Sequence, residues 1–253
     1  MKKLGVLFTL FLEATLGTNA LAHELPKPSL LEISKQLIVV TTPSWDASRG
    51  QLQPFARDNI HSPWHAVASP WDVVVGKTGL AWAADLRSYP LSGPIKKEGD
   101  NKSPAGAFSL DSVFGFAPIA DETIKLPYIP VTDDTVCVDD FRSQYYGRII
   151  DSAKVTKIDW SSAEQMSQYP VQYQEGIVVG YNTDGRIPKG GSCIFLHVRS
   201  PNSMGTAGCT AMAQNHVKTL SRWLTPSYHP VLVQLPVRQY QQLQKKWNLP
   251  SLK

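Results

Sequence analysis

Short runs of apolar, β-branched and aromatic residues recur along the chain, and Gly, Pro, Asp or Asn bounds most of them. Such runs are typical of β-strands, because branched and aromatic side chains pack well on a pleated sheet. Six runs predict strands over residues 37–41, 71–75, 106–110, 128–131, 176–180 and 231–235. A seventh apolar run surrounds His197 and predicts a buried strand that ends in this histidine. The pattern therefore predicts a mainly β fold with a few helices.

Helical periodicity is confined to three segments. Residues 213–224 carry their apolar side chains on one helical face, and residues 237–248 predict a C-terminal amphipathic helix followed by Pro250. Ser161 and Glu164 form a capping-box pattern, which predicts a short helix over residues 162–169. We find no internal repeat and no low-complexity tract, so the chain beyond its N-terminal segment is predicted to be a single domain.

The N-terminal segment has the composition of a secretory signal peptide. Lys2 and Lys3 precede an apolar run over residues 4–12, and Ala20-Leu21-Ala22 is a small-residue cleavage site. A membrane anchor is the alternative, but the apolar run falls well short of the roughly 20 residues that a spanning helix needs. We therefore expect a signal peptide over residues 1–22, a single domain over residues 23–253, and an exported protein that is periplasmic or associated with the cell wall.

Composition and charge are those of an ordinary folded protein, with 42% hydrophobic and 18% charged residues and a formal net charge of +4. This small positive excess favours an anionic wall polymer slightly, and it does not indicate nucleic-acid binding, because no basic stripe interleaved with aromatics is present. His61 and His65 are four residues apart, but Pro63 argues against a helix that would align them as metal ligands. We expect no metal, no cofactor and no membrane span, and a monomer.

Candidate chemistry lies at Cys209, which follows His197 by twelve residues after a loop rich in Gly, Ser, Pro and Asn. A histidine fixed at a strand end can take the proton of a thiol that the returning loop delivers, as nucleophilic catalysis requires. Gly208 has no side chain to hinder an approaching carbonyl, and nearby N–H groups are suited to hold an oxyanion. The structural alternative is a buried cysteine and a hydrogen-bonded core histidine.

The order of His197 and Thr206-Ala207-Gly208-Cys209 resembles the motif of the YkuD-type L,D-transpeptidases of bacterial cell walls. Further blocks of the chain are similar to a subgroup of that family in the same order, so the resemblance covers about residues 36–236. These blocks are residues 76–82, 97–100, 103–108, 180–182 and 191–197. The resemblance implies a catalytic domain of the β-sandwich type.

The resemblance also implies a reaction on peptidoglycan stem peptides. The thiolate of Cys209 would attack the carbonyl between the L-centre of diaminopimelate and a terminal D-alanine, with His197 as the base, the Val198 carbonyl orienting the imidazole, and Gly208 contributing to the oxyanion hole. A low-pKa thiol and acylation by carbapenems are expected. The residues implied in substrate binding are Thr206, Ala207, Arg199 and Tyr181. Ala207 and Ala211 stand where many members carry His and Arg or Asn.

Two other outcomes are compatible with the same residues. Water in place of an acceptor amine would make the protein an L,D-carboxypeptidase or endopeptidase. A non-catalytic wall-binding module with the same fold is the alternative from a different class.

Three cysteines in an exported chain allow one disulfide and three possible pairings. If Cys209 is the nucleophile, as the resemblance implies, the pair is Cys137 with Cys193. Closing a loop of about 57 residues contributes on the order of 4 kcal/mol in the chain-entropy model. Two buried free thiols are the alternative.

The segment from Lys96 to Ser103 is the most polar stretch of the chain. Charged runs are usually solvated, so an exposed loop is expected, with a substrate-facing loop as the alternative.

Overall fold

The computed structural model describes residues 25–119 and 121–252. The predicted signal peptide and the predicted mature N-terminus at His23 lie outside the described residues. The helices are α1 (Leu30–Ile33), α2 (Gln214–Trp223) and α3 (Val237–Trp247). The strands are β1 (Gln36–Thr42), β2 (Arg49–Ala56), β3 (His65–Ala66), β4 (Trp71–Val74), β5 (Leu80–Trp82), β6 (Ser103–Gly115), β7 (Tyr128–Pro130), β8 (Thr135–Val138), β9 (Ile149–Asp151), β10 (Ala163–Gln165), β11 (Glu175–Val179), β12 (Phe195–Val198), β13 (Thr210–Met212) and β14 (Val231–Pro236). The mainly β prediction is confirmed.

Eleven strands form one large sheet that closes on itself. The order β1-β14-β6-β11-β12-β13-β4-β2 returns to its start, because β1 also pairs with β2. Strands β3, β5 and β7 add to β2 or β6 outside this ring. Most neighbours are antiparallel, but β12 and β13 are parallel, with His197 opposite Ala211. The parallel pairing matters for function, because the loop between these two strands returns Cys209 to the side of β12.

Side chains of β12 alternate between two apolar clusters. Leu196 and Val198 face the main core, whereas Phe195 packs in a second cluster that also contains Cys209. Since side chains of a strand point alternately to its two faces, His197 shares the face of Phe195. The histidine therefore lies on the same side of the sheet as the cysteine.

A second, three-stranded sheet consists of β10, β8 and β9. Its strand β10 lies in the segment where the capping-box pattern predicts a helix, and that prediction is wrong. Residues 163–165 form β10, which pairs with β8, and only a single 3₁₀ turn, Met166–Gln168, follows. The hydroxyl of Ser161 hydrogen-bonds to the carboxylate of Asp140 at 2.7 Å instead of capping a helix. Pairing with β8 therefore overrides the local signal.

The two longer helices lie where their periodicity predicts them. Helix α2 buries Val217 and Leu220 and contacts β11 and β12. Helix α3 buries Tyr240 and Trp247 and ends one residue before the predicted end, at a left-handed Asn248. No helix within the described residues is long and apolar enough to span a bilayer.

Candidate active site

A cleft of about 480 Å³ lies where β12 and the loop before β13 meet the second sheet. His197 and Cys209 both line it, as do Thr206, Ala207 and Gly208. The thiol of Cys209 is 8% exposed and is the one free cysteine of the described residues. The cleft thus brings together the two residues that the sequence proposes as nucleophile and base.

The sulfur of Cys209 is held by two backbone groups. The N–H of Phe195 donates to Sγ at 3.3 Å, and the thiol donates to the carbonyl of Cys193 at 3.3 Å. These contacts fix the sulfur against β12 and the segment before it, on the face of the strand that carries His197.

The imidazole of His197 has a defined tautomer. Its Nδ1 lies 2.8 Å from the carbonyl oxygen of Val198, and because a carbonyl only accepts, Nδ1 carries the proton. Tyr173 packs its ring edge-on against the imidazole, with centroids 5.5 Å apart. The second ring nitrogen, Nε2, is thereby the one able to accept a proton.

Burial shifts the pKa values of His197 and Cys209 in opposite directions. Loss of solvent lowers the pKa of His197 to about 4. Burial, with a contribution from the Glu164 carboxylate, raises the pKa of the Cys209 thiol far above its usual range. The expectation of a low-pKa thiol is therefore wrong, because the apolar surroundings and an acidic neighbour favour the neutral form. The resting pair is a neutral thiol and a neutral imidazole.

Two hydroxyl groups hold the backbone of Cys209. Thr206 Oγ1 donates to the Cys209 carbonyl at 2.6 Å, and Ser103 Oγ donates to the same oxygen at 2.8 Å. Ser103 also accepts from the N–H of Gly76, and it is fully buried. The turn that presents the thiol is thus anchored to the start of β6.

The structure does not leave the N–H of Gly208 free for its predicted role in an oxyanion hole. Its N–H donates to Thr206 Oγ1 at 3.1 Å, so this group is already engaged within the turn and does not point freely to a substrate. A Cβ at this position would lie 3.2 Å from Ile194 Cδ1 and 3.3 Å from the Lys102 carbonyl oxygen. Close approach of neighbouring segments is the structural reason for the glycine.

The polar segment from Lys96 to Ser103 lines the cleft instead of lying wholly in solvent. Lys96, Glu98, Gly99 and Asn101 contribute to the lining. Glu98 accepts hydrogen bonds from Tyr146 Oη at 2.5 Å and Ser192 Oγ at 2.7 Å. The expectation of an exposed loop is wrong for Lys96, which is 3% exposed, and the alternative of a substrate-facing loop fits the arrangement.

The opposite wall of the cleft carries carboxylates from the second sheet and the residue after β8. Glu164 accepts from Tyr173 Oη at 2.6 Å, and burial raises the pKa of its carboxyl group. Asp139 also lines the cleft, and its buried Oδ1 has no hydrogen-bond partner in the described part of the chain. This wall is therefore acidic and adjoins the histidine through Tyr173.

A disulfide joins Cys137 of β8 to Cys193, two residues before β12. The predicted pairing is confirmed, and Cys209 remains unpaired. Because Glu164 lies opposite Cys137 in the β10–β8 register, the bond ties the acidic wall to the strand that carries His197.

Two predicted substrate-binding residues lie elsewhere. Arg199 follows the last residue of β12 and lines a separate pocket with Arg49 and Asp72. Tyr181 is 3% exposed, and its hydroxyl is engaged by the Gly190 carbonyl and the Ala84 N–H. Neither side chain lines the cleft, and their part in substrate binding stays a prediction.

Tyr173 and Lys96 line the cleft, Ser103 holds the Cys209 carbonyl, and the sequence singles out none of the three individually. Lys96 and Ser103 are the first and last residues of the polar segment, and the polarity of that segment is the signal that could have indicated them. Tyr173 lies in an unremarkable stretch, and only its edge contact with His197 reveals it.

Comparison with known families gives one result. The family model of YkuD, the L,D-transpeptidase catalytic domain, matches residues 61–233, which is more than half of the chain. The match begins later than the resemblance that starts near residue 36. No curated protein and no solved structure shows significant similarity to the chain.

Proposed function

The chain belongs to the YkuD family of L,D-transpeptidase catalytic domains, and we propose that it is a cysteine-dependent L,D-transpeptidase that acts on peptidoglycan stem peptides through a thioester on Cys209. Membership in this catalytic family makes the protein an enzyme of the transpeptidase type with peptidoglycan as its substrate. The nucleophile, the thioester and the crosslinked product are the parts that we propose.

The observation that carries the proposal is the placement of a single free thiol with an imidazole in one cleft. The other two cysteines are consumed by a disulfide, so among described residues only Cys209 offers a thiol. His197 lines the same cleft and has its Nδ1 proton engaged by Val198, which leaves Nε2 as the acceptor. A nucleophile with an oriented base is the requirement for covalent acyl transfer.

In the proposed acylation, His197 Nε2 takes the thiol proton as Sγ bonds to the carbonyl carbon of the donor stem. The tetrahedral intermediate then collapses, the C–N bond to the terminal D-alanine breaks, and the imidazolium returns its proton to the departing amine. Since both groups are neutral at rest, proton transfer accompanies attack and does not precede it. The N–H of Cys209 is our candidate donor to the oxyanion, because that of Gly208 is engaged by Thr206.

In the proposed second step, an amine of another stem attacks the thioester carbonyl and loses a proton, and the C–S bond breaks to regenerate the Cys209 thiol. The acidic wall formed by Asp139 and Glu164 supports an amine acceptor, since carboxylates attract an ammonium group. Water as the acceptor would give trimmed stems, the carboxypeptidase or endopeptidase outcome.

The experiment that tests the proposal is incubation of purified protein with muropeptides, followed by mass analysis of the products. Crosslinked dimers are expected, together with a thioester on the protein whose mass equals the donor stem minus D-alanine. A Cys209→Ala variant is the matched control and should yield neither. Trimmed monomers alone would select the hydrolytic alternative, and unchanged muropeptides would select the non-catalytic wall-binding module.

Export remains part of this proposal. The signal-peptide pattern of residues 1–22 motivates it, and a disulfide supports it, because such bonds persist in oxidising compartments such as the periplasm. N-terminal sequencing of the protein recovered from cells tests it, with His23 as the expected first residue.

A further inference from the structure

One cation lies in the wall of the cleft. Lys96 lines the same space as Cys209, and its side chain is 2% exposed. Among described residues it is the only Lys or Arg in the lining. A buried lysine is uncommon because desolvation disfavours its charge, so its retention in this wall calls for an explanation.

The ammonium of Lys96 uses two of its three N–H donors within the protein. Its Nζ donates to Asp100 Oδ1 at 2.6 Å and to the Lys97 carbonyl at 2.7 Å. The same Asp100 carboxylate accepts from the N–H groups of Lys97 and Lys102, at 2.7 and 2.9 Å. Because a lysine ammonium has three donors, one N–H of Lys96 remains for a ligand.

The backbone before the catalytic strand is fitted around this side chain. Gly191 adopts a φ of +102°, and a Cβ there would lie 2.9 Å from Lys96 Cε and 3.1 Å from Nζ. Gly191 also precedes Cys193, whose carbonyl accepts from the thiol of Cys209. Lys96 is thus fixed beside the segment that positions the nucleophile.

The other charges of the cleft are negative. Glu98, Asp139 and Glu164 contribute carboxylates to its lining. A carboxylate of a bound peptide would be repelled by all three, and Lys96 is the one cationic side chain of the described lining that would attract it. The cation also lowers the pKa of Cys209 against the opposite effect of Glu164, which places it within electrostatic reach of the thiol.

From the burial, the unfilled donor and the charges of the cleft, we propose that Lys96 binds the free α-carboxylate of the donor peptide's C-terminal residue. This inference rests on the proposed function, in which that residue is the leaving group. The carboxylate is then one residue from the scissile carbonyl, a span of about 3.5 Å, which suits a cation in the same cleft as the nucleophile. Lys96 would make the enzyme select stems with an unmodified C-terminus.

A pair of donor peptides tests the proposal. A tetrapeptide stem that ends in D-alanine is compared with the same stem whose C-terminus is amidated, and kcat/KM for release of the terminal residue is measured for each. We expect the wild-type protein to prefer the free acid by roughly 10- to 100-fold, the range for a hydrogen bond to a charged group.

Because amidation also changes the leaving amine, variants isolate the contribution of the lysine. Lys96→Gln should reduce the preference for the free acid to the intrinsic ratio of the two peptides, mainly through a raised KM for the acid. Lys96→Arg should keep most of the preference, since it keeps the charge. Lys97→Gln is the matched control, because that side chain is exposed and outside the cleft, and it should behave as the wild type.

The outcomes separate this inference from the proposed function. A Lys96→Gln protein that melts normally and keeps the wild-type preference would overturn the inference, with the proposed function intact. A wild-type protein without any preference for the acid would overturn it without recourse to a variant. A wild-type protein that releases nothing from either peptide would overturn the proposed function and, with it, this role of Lys96.

Discussion

The carbonyl oxygen of Val198 lies 2.8 Å from Nδ1 of His197, so the position of the imidazole proton follows from the next residue of the strand. The carbonyl keeps Nδ1 protonated and directs the basic nitrogen, Nε2, away from the backbone. Burial at the same time keeps the ring neutral over most of the pH range. The proposed base is therefore neutral and able to accept a proton at neutral pH, whereas the Cys209 thiol is not ionised in advance.

The pH dependence of acylation follows from these two shifts. A base must be neutral to accept a proton, and the lowered pKa of His197, about 4, makes it neutral above that pH. The rate of carbapenem acylation, followed by intact mass, should rise with pH through about 4 and then stay level across neutral pH. A rise centred near the ordinary histidine value of 6.5 would show that the base titrates as an exposed group.

Replacement of the base separates catalysis from packing. His197→Ala should slow acylation by roughly 10²- to 10⁴-fold, the usual range for a positioned general base, and leave one free thiol. A purely structural histidine would instead cost about 1–3 kcal/mol of stability with reactivity kept. Thermal melts and adduct formation on one preparation distinguish them, and a destabilised but fully reactive variant would refute the role of His197.

The nucleophile itself is tested with an inhibitor. Carbapenem should add one inhibitor mass to the native protein, and Cys209→Ala should abolish the adduct, because no other described residue offers a free thiol. Cys137→Ala with Cys193→Ala is a useful comparison, since it removes the other two sulfurs and keeps the nucleophile. An adduct that survives replacement of Cys209 would point to another residue.

The disulfide links the second sheet to the segment before β12 and should therefore contribute to the stability of the fold. Because its cysteines are separated by 56 positions in sequence, removal of the disulfide through the Cys137→Ala and Cys193→Ala double variant should lower the free energy of unfolding by about 4 kcal/mol. Denaturant unfolding measures this loss, and thiol titration of the unreduced wild type should find a single free cysteine. Peptide mapping that found Cys209 bridged in active protein would contradict both the pairing and the nucleophile.

The two hydroxyls on the Cys209 carbonyl should be partly redundant. Thr206→Val removes one donor at constant volume and should slow acylation several-fold, by about the 0.5–1.5 kcal/mol of one hydrogen bond. Ser103→Ala should also lower stability by about 1–3 kcal/mol, because it leaves the buried Gly76 N–H without a partner. If the double variant acylated as fast as the wild type, these hydroxyls would have no part in placing the thiol.

Much of the fold was open to prediction because strands carry their signal locally. The six apolar runs and the run around His197 overlap β1, β4, β6, β7, β11, β14 and β12, and both amphipathic helices occur. Strand β2 escapes the pattern, since Gln51, Gln53 and Pro54 interrupt its apolar positions. The wrong helix over residues 162–169 has the opposite cause, a valid capping pattern overridden by pairing with β8.

The sequence by itself determined the strand and helix segments, which depend on residue type and spacing along the chain. Its resemblance to a known family implied the candidate nucleophile and base and, with Cys209 set aside, the pairing of Cys137 with Cys193. The tertiary structure alone decided the closure of the sheet by β1 and β2, the exclusion of Arg199 and Tyr181 from the cleft, the presence of Tyr173 and Lys96 in it, and the contact of Ser103 with the Cys209 carbonyl. It also decided the direction of the Cys209 pKa shift, because burial and the carboxylate of Glu164 come from segments distant in sequence, and spacing along a chain does not specify its neighbours in space.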